Sequence, residues 1–361
     1  MNLIGLLLAI PLFAHQYGVT CQKCHTVIPH LNEFGAHFLA SGDRIPGVQP
    51  GPAFPLAAKA NLVDSSENQG DGVNGAGLPK AIVDEVELFT AGAIGARGSF
   101  FFEQYVLDGG EQGLTRDAWV NDRLNPWNAK IPLYAQLGQF TLALPVDPET
   151  FRESYQDYAV YVQQVGNNPF DFFTPKQGLK LTAGDTLHGF AMQLFTGPGH
   201  DRQSGLLTTG EDYMETFSEA MGPLTLSYYH YTGERPDVGS LLDRFWRQGY
   251  GVVLNHGKWT WENVLQTGFD SSYNGVGYAS SGGFSQLRYA WAPKWFALAR
   301  YDGTNDPNNG FQRDTVLLLG YGPSHNSRIT LEDVIEHAPN ASIPPSLQAT
   351  NTMNLQFTIG F

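Results

Sequence analysis

The chain ends in Thr352-Met353-Asn354-Leu355-Gln356-Phe357-Thr358-Ile359-Gly360-Phe361. Every odd position is apolar and every even position is polar or glycine. Strand side chains alternate between faces, so this stretch carries one oily face and one wet face. Its length matches the roughly 9–11 residues that a tilted strand uses to cross a bilayer.

Working backwards, similar segments recur at 54–64, 81–90, 95–107, 116–124, 133–143, 178–184, 187–196, 212–220, 223–232, 243–254, 258–269, 283–291, 295–302, 313–321 and 326–335. With 352–361 they number about sixteen, an even count as bacterial barrels require. Short turns such as Met221-Gly222 and Ala292-Pro293 alternate with longer connections such as 65–80, 144–177 and 197–211. That asymmetry fits periplasmic turns and extracellular loops, and the even count puts both termini in the periplasm. The expected fold is therefore mainly β: an antiparallel, porin-like outer-membrane barrel of about sixteen strands over 54–361. The final Phe361 resembles the terminal assembly signal of such barrels.

Parity assigns faces. Trp259, Trp261, Leu265 and Phe269 would meet lipid, and Thr260, Glu262 and Gln266 the lumen. Trp295, Ala297, Ala299 and Tyr301 would face out, with Arg300 and Asp302 inside, because a charge on the lipid face costs about 2–4 kcal/mol for Arg or Lys near the midplane. Trp291, Trp295 and Tyr301 suit an interfacial aromatic girdle. Loop 144–177, rich in acidic residues and aromatics, either folds into the lumen or lies mobile on the surface. Acidic residues Asp201, Glu211, Asp212, Glu234, Asp237, Asp302, Asp306 and Asp314 form a rim that attracts cations or is simply solvated.

Composition agrees with strands and turns: 41 Gly, 23 Phe, 16 Tyr and 7 Trp, against 16% charged residues. The net charge of −14 and the lack of a basic stripe argue against nucleic-acid binding. Residues 2–14 form an apolar run too short to span a bilayer, which takes about 20 residues. Residues 1–14 read as a secretory signal peptide, the alternative being a buried N-terminal strand or helix.

The chain has two cysteines, Cys21 and Cys24, in Cys-Gln-Lys-Cys-His. Thiols three residues apart reach the two vinyl groups of one porphyrin and set His25 under the iron, so C-x-x-C-H reads as attachment of one covalent haem c. Zinc would need a second ligand pair, and a thioredoxin-type site a βαβ pattern. A plain disulfide stays open. For the distal iron position the near histidines are His15, His30 and His37; the last two share a side if 29–40 is helical. Met192 falls on a strand, with parity that turns it outward. Residues 15–50 form this monohaem segment, too small for a core of its own, and the barrel lumen offers it walls.

Phe13-Ala14-His15-Gln16-Tyr17-Gly18-Val19-Thr20-Cys21 through Cys24-His25-Thr26, with Pro29-His30-Leu31-Asn32-Glu33-Phe34-Gly35-Ala36-His37-Phe38 and Gly42, resembles the N-terminus of the fused monohaem cytochrome–porins. These are outer-membrane proteins best known as iron oxidases of iron-oxidising bacteria. The resemblance implies a haem that plugs the pore, takes electrons from extracellular Fe(II) or another donor, and passes them to a periplasmic c-type cytochrome. Two other functions stay open: a passive porin whose haem segment is a plug, and electron export to an extracellular acceptor.

Overall fold

The computed structural model describes residues 12–51, 56–66, 81–185, 189–200, 207–236, 242–273, 276–306, 310–337 and 349–360. The expected leader up to residue 11, the strand start at 54–55, Asp201, Asp237, the Asp306 side chain and Phe361 lie outside the described residues.

Sixteen antiparallel strands close into one barrel. They are β1 (Ala57–Ser65), β2 (Ala81–Ile94), β3 (Gly98–Asp108), β4 (Thr115–Arg123), β5 (Leu133–Phe140), β6 (Lys176–Asp185), β7 (Phe190–His200) and β8 (Leu207–Met221). β9 (Leu224–Pro236), β10 (Leu242–His256), β11 (Trp259–Tyr273), β12 (Val276–Ala292), β13 (Trp295–Asp306), β14 (Gly310–Ser324), β15 (Ser327–His337) and β16 (Ala349–Gly360) follow. A two-residue strand, Glu111–Gln112, extends the β3–β4 connection. The terminal stretch closes the ring: β16 pairs with β1 from Asn354↔Ser65 to Gly360↔Lys59. Closure leaves no open edge, so the backbone satisfies its own hydrogen bonds without water.

Faces follow parity. On β11, Leu265 is 60% exposed on the outer wall, while its neighbour Glu262 is 1% exposed inside. Met192 is exposed on the outer wall. Arg300 and Asp302 are buried inside, and Trp295 and Tyr301 face out. At the turn end a chain of rings runs Trp259–Tyr289 (4.2 Å), Tyr289–Trp291 (6.1 Å), Trp291–Trp295 (6.2 Å) and Trp295–Tyr321 (4.4 Å). Aromatic rings with one apolar side and one polar tip suit such a level.

Connections differ from the expectation on both sides of the barrel. On the loop side β11 reaches Tyr273 and β12 begins at Val276, because both strands run on beyond their apolar halves. On the turn side, β4 and β5 are joined by nine residues, 124–132. Arg123 holds this connection by donating to the carbonyls of Asn125, Pro126 and Trp127.

Candidate functional site: a chamber between two plugs

The N-terminal segment sits inside the turn-side half of the lumen. Helix α1 (Leu12–Tyr17) seats Leu12 and Phe13 against Ala57, Phe89, Ala91 and Phe101 of the wall. Gln16 Nε2 donates to the Ala91 carbonyl at 2.8 Å. The segment that spans the expected cleavage point at Ala14 is thus one packed helix. A 3₁₀ turn at Cys21–Lys23 leads into a small antiparallel hairpin, His25–Val27 with His30–Leu31. Val27 packs on the wall cluster Phe296, Leu298 and Leu318. Helix α2 (Glu33–Ala40) follows, and Phe38 stacks edge-on to Phe13 and Tyr17. Ser99 Oγ donates to the Gly42 carbonyl at 2.7 Å, and Arg44 Nη1 to the Gly98 carbonyl at 2.8 Å.

Asn32 starts α2. Its side chain accepts from the Gly35 amide at 3.0 Å, and its own amide donates to the Cys24 carbonyl at 2.8 Å. Gly35 lies hard against the same peptide: a Cβ there would fall 2.1 Å from the Cys24 oxygen. Residues that look like spacers therefore fix the backbone of the cysteine motif.

Cys21 and Cys24 are free thiols that line one chamber with His25. Burial pushes both thiols up from their ordinary range. His25 Nδ1 lies 2.9 Å from the Pro29 carbonyl oxygen. With the proton on Nδ1 that contact is a donated hydrogen bond, and Nε2 is left as the lone-pair nitrogen. Burial lowers the His25 pKa and favours the neutral ring, the form a metal takes.

The distal histidines part company. The expectation that His30 and His37 share a helical face fails, because the extended Asn32 (φ −87°, ψ −179°) begins the helix after His30. His30 instead sits in the hairpin, buried, its ring edge-on to Phe151 at 5.3 Å. Its Nδ1 meets Thr26 Oγ1 at 3.2 Å, and its buried Nε2 has no hydrogen-bond partner. Burial pushes the His30 pKa down to about 4. His37 points at Asp185 of the wall, 3.7 Å away, and does not line the chamber. His15 is exposed.

The long connection between β5 and β6 folds into the lumen from the other end. Its helix α3 (Ala159–Val162) and Tyr158, Phe170 and Phe172 pack on Tyr229, Tyr231, Phe245, Val264 and Phe284. Polar anchors surround that core. Arg288 binds Glu153 through Nε (2.5 Å) and Nη2 (2.9 Å). Arg300 donates to Ser154 Oγ and to the carbonyls of Gln156 and Asp157. Glu332 accepts from the amides of Tyr155 and Gln156. Between this inward loop and the N-terminal segment lies a cavity of about 2240 Å³.

One wall of the cavity is acidic. Carboxylate oxygens of Glu103, Asp117 and Glu149 lie within 4.8 Å of one another. Arg116 donates to Glu149 at 2.7 Å, and Lys59 pairs with Glu87 at 2.5 Å. The expected acidic rim is different: Asp212 and Asp302 are buried in pairs with Arg235 and Arg300. Glu234 pairs with Arg244 at 2.7 Å. Inward parity on β3 and β4 was the sequence signal for Glu103 and Asp117.

The barrel has a porin fold. Solved structures similar to it include OmpF of Salmonella typhi in complex with daunomycin, at a TM-score of 0.60 and 12% identity, covering 85% of this chain and 97% of that one. The anion-selective porin of Comamonas acidovorans aligns at 0.61 and 12%, covering 85% and 98%. OmpT of Vibrio cholerae lacking loop L8 aligns at 0.57 and 11%, covering 85% and 98%. No protein-family model and no curated protein matches the sequence.

Proposed function

We propose that this porin-like barrel spans the outer membrane of a Gram-negative bacterium, turn end in the periplasm, and holds one haem c attached at Cys21 and Cys24 with His25 as proximal ligand. The observation that carries this reading is the joint placement of both free thiols and His25, its Nδ1 engaged by Pro29, on a chamber between two plugs. Such a haem, when bound, supplies one-electron transfer. His30 is the better distal candidate than His37, since its unpartnered Nε2 is buried in the segment that lines the chamber. Fe(II) as substrate is favoured by the carboxylates of the chamber wall, because oxygen donors tolerate Fe(II). Electrons would pass to a periplasmic c-type cytochrome at the turn end, where the cysteine motif lies.

The test has two steps. Denatured protein is assayed for covalent haem by pyridine spectrum, with C21S/C24S as the control. The holoprotein is then titrated anaerobically with Fe(II). No covalent haem ends the reading. Haem reduced by a strong reductant but not by Fe(II) leaves a lower-potential conduit, for outward electron flow, or a plugged porin. Planar-bilayer conductance separates the last case: an open ohmic pore with the N-terminal segment intact marks a passive porin.

A further inference from the structure

The lumen wall carries several buried arginines, and their partners differ in kind. Arg235 grips Asp212, Arg247 grips Asp270, Arg288 grips Glu153 and Arg300 grips Asp302. Arg328 on β15 does not follow the pattern. It is 5% exposed, and its one hydrogen bond runs from Nη2 to Gln356 Oε1 at 3.1 Å. Its Nε and Nη1 are buried without any partner among the described residues. Nearby carboxylates are already engaged: Glu153 by Arg288, and Glu332 by the amides of Tyr155 and Gln156. A buried guanidinium always carries its charge, and leaving it uncompensated is costly.

Arg328 lines the same chamber as Cys21, Cys24 and His25. Its height matches theirs. Tyr321 pairs with Ile329 across β14 and β15, so Arg328 stands at the level of Gly322. At Gly322 the wall touches the haem-motif hairpin, since a Cβ there would meet the Val27 methyls at 3.5 Å. The missing partner should be an anion whose oxygen accepts a charge-assisted hydrogen bond from one of these open donors. A haem carries such groups as propionates.

We propose that Arg328 is the anchor for one propionate carboxylate of the haem held by Cys21 and Cys24. The inference rests on the haem reading above and adds a residue that the cysteine motif does not contain. Gln356 holds Nη2, which leaves Nε and Nη1, on opposite edges of the guanidinium, as the open donors; the propionate takes one of them.

The test uses the holoprotein and two variants, R328Q and R328K, read by the propionate bending bands in resonance Raman spectra and by the midpoint potential. The pyridine spectrum of wild type comes first. If wild type holds no covalent haem, the haem reading falls and takes this assignment with it. With haem present, R328Q should keep both thioether bonds, shift a propionate band and lower the potential, because a positive charge near the ferric centre has gone. R328K should hold the potential near wild type but still shift the band, since lysine keeps the charge and loses the planar guanidinium and its directed N–H donor. R328Q holoprotein with the wild-type band and potential overturns the proposal. Should R328Q fail to assemble, an unshifted band in R328K overturns it equally.

Discussion

Breaking the ion pair Arg288–Glu153 should loosen the inward loop at a calculable cost. The pair is buried, with Glu153 1% exposed, and joined by two bonds of 2.5 and 2.9 Å. Removing one partner of a buried pair costs about 3–5 kcal/mol, because the other charge is stranded. Arg288 borders a cavity large enough for water, so the low end applies, about 3 kcal/mol for either E153Q or R288M. If these costs were independent, the double variant would lose about 6 kcal/mol. Removing both charges strands neither, so E153Q/R288M should lose only about 3 kcal/mol, a coupling of about 3 kcal/mol. The assay is urea unfolding in lipid vesicles, followed by tryptophan fluorescence, for all four corners of the cycle. The loop keeps its Arg300 and Glu332 anchors and its aromatic core, so no variant should expel it, and conductance should rise modestly in the singles. A double variant that loses the sum of the two singles within about 0.5 kcal/mol would refute the argument that the pair acts as a unit.

Leu265 faces lipid on β11, six residues in from Trp259 of the turn-end girdle, so L265R should destabilise the folded barrel by about 2–4 kcal/mol in a vesicle-folding titration. A cost below about 1 kcal/mol would mean the hydrocarbon midplane lies elsewhere. G35A drives a Cβ to 2.1 Å from the Cys24 oxygen; α2 must retreat, at about 1–3 kcal/mol, and on the proposed haem attachment covalent haem per barrel should fall while the barrel itself stays folded by gel heat-modifiability. Unchanged haem content would show that α2 does not position the cysteine motif. Asp43 is buried in the N-terminal segment, and burial raises its carboxyl to about 7 against Lys180, which pulls the other way. A raised carboxyl pKa stabilises the folded form below the ordinary value near 3.8 and loses that contribution as pH rises through about 7. Protease resistance of the segment should therefore fall from pH 4 to pH 8, by up to about 4 kcal/mol, and D43N should flatten the slope. Asparagine suits the test because Asp43 has φ of +58°, a region it tolerates. An identical slope in D43N would assign the pH dependence to another group.

The barrel was legible because its physics is local. Each wall strand announces itself by period-two alternation, and the face of Leu265, Glu262, Met192 and Arg300 follows from parity alone. Strand ends were not legible where alternation stops being apolar. Tyr278-Ala279-Ser280-Ser281-Gly282 lies within β12, yet it reads as loop, since above the lipid both faces are wet and the pattern has nothing to mark. The same blindness shortened β8 and β14. The inward loop was undecided for a different reason: its aromatics suit either a core or a surface. What chooses is Arg288, Arg300 and Glu332, more than a hundred residues away in sequence.

The site divides along the same line. Cys21, Cys24 and His25 are adjacent in the chain, so their shared chemistry shows in five letters. His30 and His37 were paired on an assumed helix over 29–40 that Asn32 forbids by capping it at Glu33, three residues after His30. Asp212 and Asp302 look like rim acids in sequence, but in the folded barrel they are buried against Arg235 and Arg300, and a buried carboxylate beside a guanidinium is a brace rather than a cation trap. Arg328 is the reverse case. In sequence it is one more inward basic residue; in the folded barrel it is a buried charge with two donors unclaimed, facing the chamber that the cysteine motif also lines. Lumen charges that brace the protein come with partners from the protein. A lumen charge left without one has its partner outside the polypeptide, and the chemistry of its neighbours says what that partner is.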